Sequence, residues 1–238
     1  MRKLILIFIS FMFSYASEIY VAAAANTTYA MPEIIKKFNQ KYPDVKVNVI
    51  LASSGKLTAQ IMHGAEYDVF MSANMKYPEF LYKKGIAKSK PKIYAKGAIA
   101  LFSIKNIKLD NFKKALLNAK SIAIANPKTA PYGRAAVEAM KNAGIYGNVK
   151  NRLIFAETVS AVIPYTVNSA DIGIVAKSSL FSPKMKKYKN FADVPKSLYK
   201  PINQGIIMLN NKKDTVKFYN YIFSDDAKEV FKKYGYIF

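Results

Sequence analysis

Strand-like and helix-like segments alternate along nearly the whole chain, and this alternation restricts the fold more than any other feature of the sequence. Residues 19–24 form an apolar run typical of a buried strand, and residues 29–42 carry apolar side chains at helical spacing. Such alternation predicts an α/β fold with mixed, mainly parallel sheets flanked by helices. Further strands are predicted at 45–51, 67–73, 93–103, 121–125, 152–156, 172–175 and 201–209, and further helices at 56–63, 77–84, 111–119, 133–143, 159–169, 213–223 and 225–234.

Four small polar loops fall at predicted strand-to-helix junctions, at residues 24–28, 52–56, 126–133 and 156–159. Ligands of open α/β sheets bind outside the carboxyl ends of the strands. Because these loops occur in both halves of the chain, we expect two lobes with a ligand cleft between them.

The N-terminal stretch MRKLILIFISFMFSYASEIY has the pattern of a secretory signal peptide. Two cations precede an apolar run from Leu4 to about Phe13, and Ser14 and Ala16 place small residues at the −3 and −1 positions of a cleavage site. A membrane span would need ~20 apolar residues. We therefore expect residues 1–16 to be removed after Ala16 and the protein to be exported to the periplasm.

The chain is strongly basic, with 37 lysine and arginine residues against 15 acidic ones and a formal net charge of +22. The lysines are scattered as pairs on polar faces, and the sequence has no recognisable nucleic-acid-binding motif. This pattern favours a solvated, anion-attracting surface over a nucleic-acid partner. A basic envelope adhesin stays as an alternative.

The chain has no cysteine and one histidine. The lack of cysteine excludes a lipid-anchored N-terminal cysteine, disulfides and thiolate metal sites. His63 lies among polar residues near the end of a predicted helix, and neither a nucleophile motif nor a suggestive carboxylate pair occurs in the sequence. We expect no catalytic residue, no cofactor and no directly coordinated metal, and hence a protein that is not an enzyme.

The second loop has some features of a phosphate-binding loop, because Ser-Ser-Gly-Lys stands between a predicted strand and a predicted helix. A Walker A loop needs glycine at position 50 and serine or threonine after the lysine, whereas this chain has Ile50 and Leu57. A nucleotide site is thus disfavoured. A strand, a small loop and a helix N-terminus still suit a compact anion.

All four loops precede predicted helices, whose N-termini present unpaired N–H groups and the positive end of the helix dipole. Brought together, they would hold an oxyanion with neutral donors, and the Asn26 amide and the Ser54 hydroxyl would add hydrogen bonds. Taken singly, each loop also suits simple helix capping. The residues suited to capping are Asn26, Thr27, Ser53, Ser54 and Thr158.

Several short motifs, in order along the mature chain, resemble those of the periplasmic molybdate-binding proteins of ABC transporters, which have the type II periplasmic-binding-protein fold. Each motif is moderately specific, and together they are strongly specific. They are VAAAANT at 21–27, SSGKL at 53–57 with AQI at 59–61, DVFMSA at 68–73, IANP at 124–127, APYG at 130–133, and FKKYG at 231–235.

The resemblance implies two α/β lobes that close on molybdate or tungstate and a protein that delivers this ligand to an inner-membrane permease. A monomer is expected. Lobe one would comprise residues 17–98 and 203–238, and lobe two residues 99–202. The lobes would be joined by crossovers near Gly97 and Gln204.

Residue by residue, the resemblance implies ligand contacts from Asn26 and Ser54 in lobe one and from the backbone N–H groups of Tyr132 and Val159 in lobe two. Many relatives have serine at the position of Asn26, although a branch of the family has asparagine there together with an Ala-Pro-Tyr-Gly loop.

Some relatives have a ligand-contacting tyrosine where this chain has Ala176. The backbone N–H of Ala25 or of Ser53 is left to supply a fifth contact. A lining made only of donors is expected to reject a protonated phosphate, while cavity size alone would reject sulfate. Another small anion, sulfate or a carboxylate, stays as the alternative ligand.

Overall fold

The computed structural model describes residues 17–238 and contains two five-stranded sheets. The predicted signal peptide, residues 1–16, lies outside the described residues. Among the helices of residues 17–238, none has both the length and the apolar character that crossing a bilayer requires.

The first sheet has the strand order β2-β1-β3-β10-β4. Strand β1 pairs in parallel with β2 and β3, while β10 runs antiparallel to β3 and β4. Its strands are β1 (Ser17–Ala24), β2 (Val45–Ala52), β3 (Val69–Ser72), β4 (Lys92–Gly97) and β10 (Ile202–Met208).

The second sheet has the strand order β7-β6-β8-β5-β9. Strand β6 pairs in parallel with β7 and β8, while β5 runs antiparallel to β8 and β9. Its strands are β5 (Ile99–Phe102), β6 (Ile122–Ala125), β7 (Leu153–Ala156), β8 (Ile172–Ala176) and β9 (Phe191–Asp193). Below, lobe one and lobe two denote the parts of the chain built on the first and second sheets.

Helices connect the strands in both lobes. Helix α10 begins after Ser224, whose hydroxyl caps the helix by accepting a hydrogen bond from the backbone N–H of Ala227. The helices are α1 (Met31–Lys41), α2 (Ser54–Met62), α3 (Lys76–Lys83), α4 (Phe112–Asn118), α5 (Pro131–Asn142), α6 (Tyr146–Val149), α7 (Val162–Asn168), α8 (Lys177–Leu180), α9 (Lys213–Tyr221) and α10 (Asp225–Lys233).

Both faces of the first sheet are covered, which explains why β1 is apolar throughout its second half. Val21 and Ala23 pack into the cluster formed with α1, α9 and α10, whereas Ala22 between them packs into the cluster formed with α2 and α3. This is the period of two expected for a strand buried on both sides. The second sheet has its own apolar cluster, centred on β5, β6 and β8.

The predicted fold class, an α/β protein with mixed sheets flanked by helices, is confirmed. The predicted single strand at 93–103 is wrong. The chain instead leaves the first sheet after Gly97 and enters the second at Ile99, because β4 and β5 pair with different partners. The lobe boundaries given from the sequence stay a prediction.

Candidate ligand site

All six residues predicted to contact a ligand line a single cavity between the two lobes. The cavity is small, because the centre of a water-sized sphere can occupy only about 10 Å³ of it. Lobe one and lobe two both contribute to its wall. The six residues are Ala25, Asn26, Ser53, Ser54, Tyr132 and Val159, and they are joined by Ala24, Ala73, Ala130 and Pro131.

Strand register brings the loops together within each lobe. In lobe one Ala24 lies opposite Ala52 at the ends of the parallel strands β1 and β2, and in lobe two Ala125 lies opposite Ala156 at the ends of β6 and β7. Because parallel strands end at the same edge of a sheet, each pair of loops starts side by side. Within each lobe, the expected convergence of two loops therefore follows from strand pairing.

The loop before α2 offers two hydroxyl groups to the cavity. Ser53 precedes the helix with an extended backbone but makes no side-chain capping bond, and its buried hydroxyl has no partner among residues 17–238. The Ser54 hydroxyl accepts the backbone N–H of Ala73 at 2.9 Å. Since a hydroxyl also carries one donor, the Ser54 hydrogen is left for a ligand. Capping alone does not account for these two serines.

The start of α5 supplies backbone donors from lobe two. Pro131, which has no N–H group, occupies the first turn, and Ala130 before it is extended. The N–H of Tyr132 belongs to the first turn of the helix, where N–H groups have no partner within the helix. A Cβ atom at Gly133 would collide with the carbonyl oxygen of Ala125. Glycine thus allows the helix start to sit directly on the end of β6.

The sequence predicts Val159 at a helix N-terminus, but in the structure Val159 lines the cavity from a turn that precedes the helix. Helix α7 begins at Val162, three positions later than predicted. The reason is a local turn in which the Thr158 hydroxyl accepts the N–H of Ala161 at 3.2 Å and the Val159 carbonyl accepts the N–H of Val162 at 3.3 Å.

The amide nitrogen of Asn26, which was expected to donate a hydrogen bond to a ligand, donates to other residues of the protein instead. This nitrogen, Nδ2, donates to Gln204 Oε1 at 2.9 Å and to the Tyr236 hydroxyl at 2.8 Å. The amide oxygen, Oδ1, is buried without a partner in the described part of the chain. The lining expected to consist only of donors therefore includes one unpaired acceptor, because two residues remote in sequence occupy both amide hydrogens.

Gln204 and Tyr236 were not identified as site residues from the sequence. They lie 178 and 210 positions from Asn26, so local pattern could not reveal the contact. Ala176 is buried at the end of β8 and does not line the cavity. Two positions later, the Ser178 hydroxyl donates to the Asn26 carbonyl at 3.0 Å and joins lobe two to lobe one.

Other contacts between the lobes surround the cavity, so the structure is closed. The backbone N–H of Gly55 donates to the carbonyl of Thr129 at 3.0 Å, and Tyr77 donates to the same carbonyl at 3.4 Å. At the rim, Lys56 and Glu157 form an ion pair of 2.6 Å, with both side chains more than half exposed.

The cavity wall is electrically neutral. Tyr132 is its one titratable side chain among the described residues, and burial raises the pKa of the Tyr132 hydroxyl well above its usual value. Within residues 17–238 no cluster of three or more His, Cys, Asp or Glu side chains could hold a metal ion. The arrangement thus offers hydrogen-bond donors and dipoles without a charged side chain.

The family model of the bacterial extracellular solute-binding proteins matches residues 19–237. The molybdate-binding protein ModA of Azotobacter vinelandii is 34% identical over 228 residues, covering 93% of this chain and 90% of that protein. ModA of Rhodobacter capsulatus is 31% identical over 229 residues, covering 93% and 89%.

The solved structure of the periplasmic molybdate-binding protein of Azotobacter vinelandii has a TM-score of 0.86 to this chain at 29% identity, covering 92% of this chain and 99% of that one. These comparisons confirm the resemblance drawn from the sequence motifs.

Proposed function

Since this chain belongs to the family of bacterial extracellular solute-binding proteins, we propose that it captures molybdate between its two lobes for uptake by an ABC transporter. The observation that carries the proposal is the convergence, in one closed and neutral cavity, of free donors from both lobes. The relatives named for molybdate binding support this choice of ligand.

Molybdate would be held by hydrogen bonds and backbone dipoles. The Ser54 hydroxyl has a free hydrogen, the Ser53 hydroxyl has no partner among the described residues, and the first turn of α5 presents the N–H of Tyr132. The N–H groups of Ala25 and Val159 complete the proposed set. Donors that face a buried anion stabilise it without a countercharge, because charge-assisted hydrogen bonds are stronger than neutral ones.

The finer features of this role are also proposals. Tungstate, which has the same shape and charge as molybdate, is the expected second ligand. We place the mature protein in the periplasm after cleavage behind Ala16, acting as a monomer that hands its ligand to an inner-membrane permease and catalyses no reaction. Closure on the ligand would shift the protein toward the form that a permease recognises.

Calorimetric titration of molybdate into ligand-stripped mature protein tests the function. We expect one-to-one binding in the sub-micromolar range, equally tight binding of tungstate, and much weaker binding of sulfate, which must be rejected by size. Sulfate or a carboxylate binding tightly while molybdate gives no heat and no rise in melting temperature would assign the cavity to a different anion.

Replacing Lys56 with alanine should change molybdate affinity only slightly. The Lys56–Glu157 pair is 51% and 66% exposed, and exposed ion pairs contribute about 0–1 kcal/mol. We expect a change of less than about fivefold in Kd. Lys46→Ala, which breaks a similarly exposed pair with Glu18 inside lobe one, is the matched control. Loss of binding in Lys56→Ala alone would mean that a cation, and not neutral donors, holds the anion.

A further inference from the structure

The loop at 183–190, which leads into β9 of lobe two, presents a dense set of lysines to solvent. Half of its eight residues are lysines, and none is acidic. Met185 is buried in the core of lobe two, and the ring of Tyr188 packs against that of Phe102 at 5.6 Å. These two anchors hold the lysines between and beside them on the outside. The exposed lysines are Lys184, Lys186, Lys187 and Lys189.

A second segment, at 103–108, lies directly beside this loop. The side-chain nitrogen of Asn190 donates to the carbonyls of Lys105 and Ile107 at 2.8 and 3.0 Å. The Lys105 side chain forms an ion pair with Asp171. The bonds from Asn190 fix the two segments side by side, so their charges belong to one surface.

Strand direction places this surface at the end of the second sheet opposite the ligand cavity. The cavity lies beyond the carboxyl ends of β6 and β7, and β8 runs parallel to β6. Because β5 is antiparallel to β8, the carboxyl end of β5, at Phe102, lies at the other end of the sheet. Strand β9 begins there, since Phe191 pairs with Phe102. The surface is therefore remote from the proposed ligand contacts.

A polar groove extends the surface along helix α4. Ile107, whose carbonyl accepts the bond from Asn190, is part of its wall. Three amides, two lysines and one carboxylate also line the groove, and they are Asn106, Asn111, Asn118, Lys108, Lys114 and Asp110. We call the loop at 183–190, the segment at 103–108 and this groove the basic pole. Besides the ion pair of Lys105, it carries six lysines and one carboxylate.

A run of four exposed lysines in lobe one has different surroundings. They are Lys83, Lys84, Lys88 and Lys90. Ile86, within this run, lines a groove together with Glu18, Glu66 and Asp68. The charge around this run is thus mixed in sign, whereas the charge of the basic pole is almost entirely positive.

We propose that the basic pole binds the surface of a membrane that contains anionic phospholipids. A cluster of about four to eight cations is sufficient for such binding, because each one is attracted to the negative headgroups. The six cations are all lysines, whose flexible ammonium groups suit mobile headgroups, whereas fixed carboxylates favour the planar fork of arginine.

Two apolar side chains at this end of the sheet fit the same partner. Ile104 and Phe191 are 44% and 46% exposed, and apolar side chains next to cations enter the boundary between headgroups and acyl chains. Docking through the basic pole would keep the protein at a membrane surface while the cavity, at the opposite end of the sheet, takes up ligand.

Co-sedimentation with phospholipid vesicles in low salt tests the proposal. Wild-type protein should bind vesicles of phosphatidylcholine mixed with phosphatidylglycerol and should not bind vesicles of phosphatidylcholine alone. Replacing Lys184, Lys186, Lys187 and Lys189 together with glutamine should lower the partition coefficient about 100-fold or more, since each lysine contributes about fivefold. The replaced side chains are exposed, so the melting temperature should stay that of the wild type.

The matched control replaces Lys83, Lys84, Lys88 and Lys90 with glutamine. This variant loses the same net charge from a similarly dense run, and its partition coefficient should fall less than about fivefold. An equal fall in both variants would mean that net charge alone drives binding. That result, or unchanged binding in the first variant, would overturn the proposal.

Further measurements use the wild-type chain and so do not depend on a variant that folds. Binding should disappear in ~1 M salt, where the Debye length falls to ~3 Å. Equal binding to neutral vesicles, or tighter binding to duplex DNA than to anionic vesicles at the same phosphate concentration, would exclude a membrane as the partner. None of these outcomes depends on whether the cavity binds molybdate.

Discussion

Ser54→Ala is expected to weaken molybdate binding by about 1.5–3 kcal/mol, the range for a hydrogen bond to a charged group. This corresponds to an increase of about 10- to 150-fold in Kd. The reason is geometric: the Ser54 oxygen is held by the backbone N–H of Ala73 at 2.9 Å, which fixes the hydroxyl at the cavity wall with its hydrogen unused. Calorimetric titration measures the change.

Ser103→Ala is the matched control for this prediction. Ser103 is a buried serine of lobe two whose hydroxyl donates to the carbonyl of Asp171 at 2.7 Å. Its loss should lower the free energy of unfolding without changing Kd, whereas Ser54→Ala should change both. Equal Kd values for Ser54→Ala and the wild type would remove Ser54 from the ligand contacts.

Gly55→Ala is expected to weaken binding by a similar amount for a different reason, because it opposes closure of the lobes. A Cβ atom at Gly55 would lie 2.9 Å from the carbonyl oxygen and 3.0 Å from the Cα of Thr129, which are backbone atoms of lobe two. Forcing extra atoms into a packed contact costs about 1–3 kcal/mol, or about 5- to 150-fold in Kd.

Titration and small-angle scattering together check this second prediction. Gly55→Ala should show a higher Kd and a smaller ligand-induced compaction than the wild type. Gly147→Ala serves as the control, because a Cβ atom at Gly147, in α6 of lobe two, would have no atom within 4 Å apart from its chain neighbours and the backbone of its own helix. It should leave both quantities unchanged. Normal affinity and full compaction in Gly55→Ala would show that closure tolerates the extra methyl group.

The position of the cavity could be predicted from the sequence because it depends on local signals. Each apolar strand is followed by a small polar loop and then by a helical pattern, and parallel strands place such loops at one edge of a sheet. The structure accordingly gathers Asn26, Ser54, Tyr132 and Val159 around one cavity. Their role as ligand contacts stays a prediction.

Sequence patterns were less reliable where one local pattern is compatible with two different secondary structures. The run at 93–103 is apolar on both sides of Gly97, so nothing in its periodicity marks the point where the chain changes sheets. Likewise, residues 159–161 suit a helix, but the Thr158 hydroxyl closes a turn there first. Hydrophobic periodicity reports burial and does not report which partner buries a residue.

By itself, the sequence determined the α/β class, most of the strands and helices in their order, the loops that line the cavity and the family to which the chain belongs, because these follow from neighbouring residues or from short motifs. Only the tertiary structure decided the hydrogen-bond partners of the Asn26 amide. Its nitrogen donates to Gln204 and Tyr236, which lie 178 and 210 positions away in the sequence. Hydrogen bonds depend on distances of a few ångströms and on direction, and only the folded chain fixes these for residues so far apart in sequence.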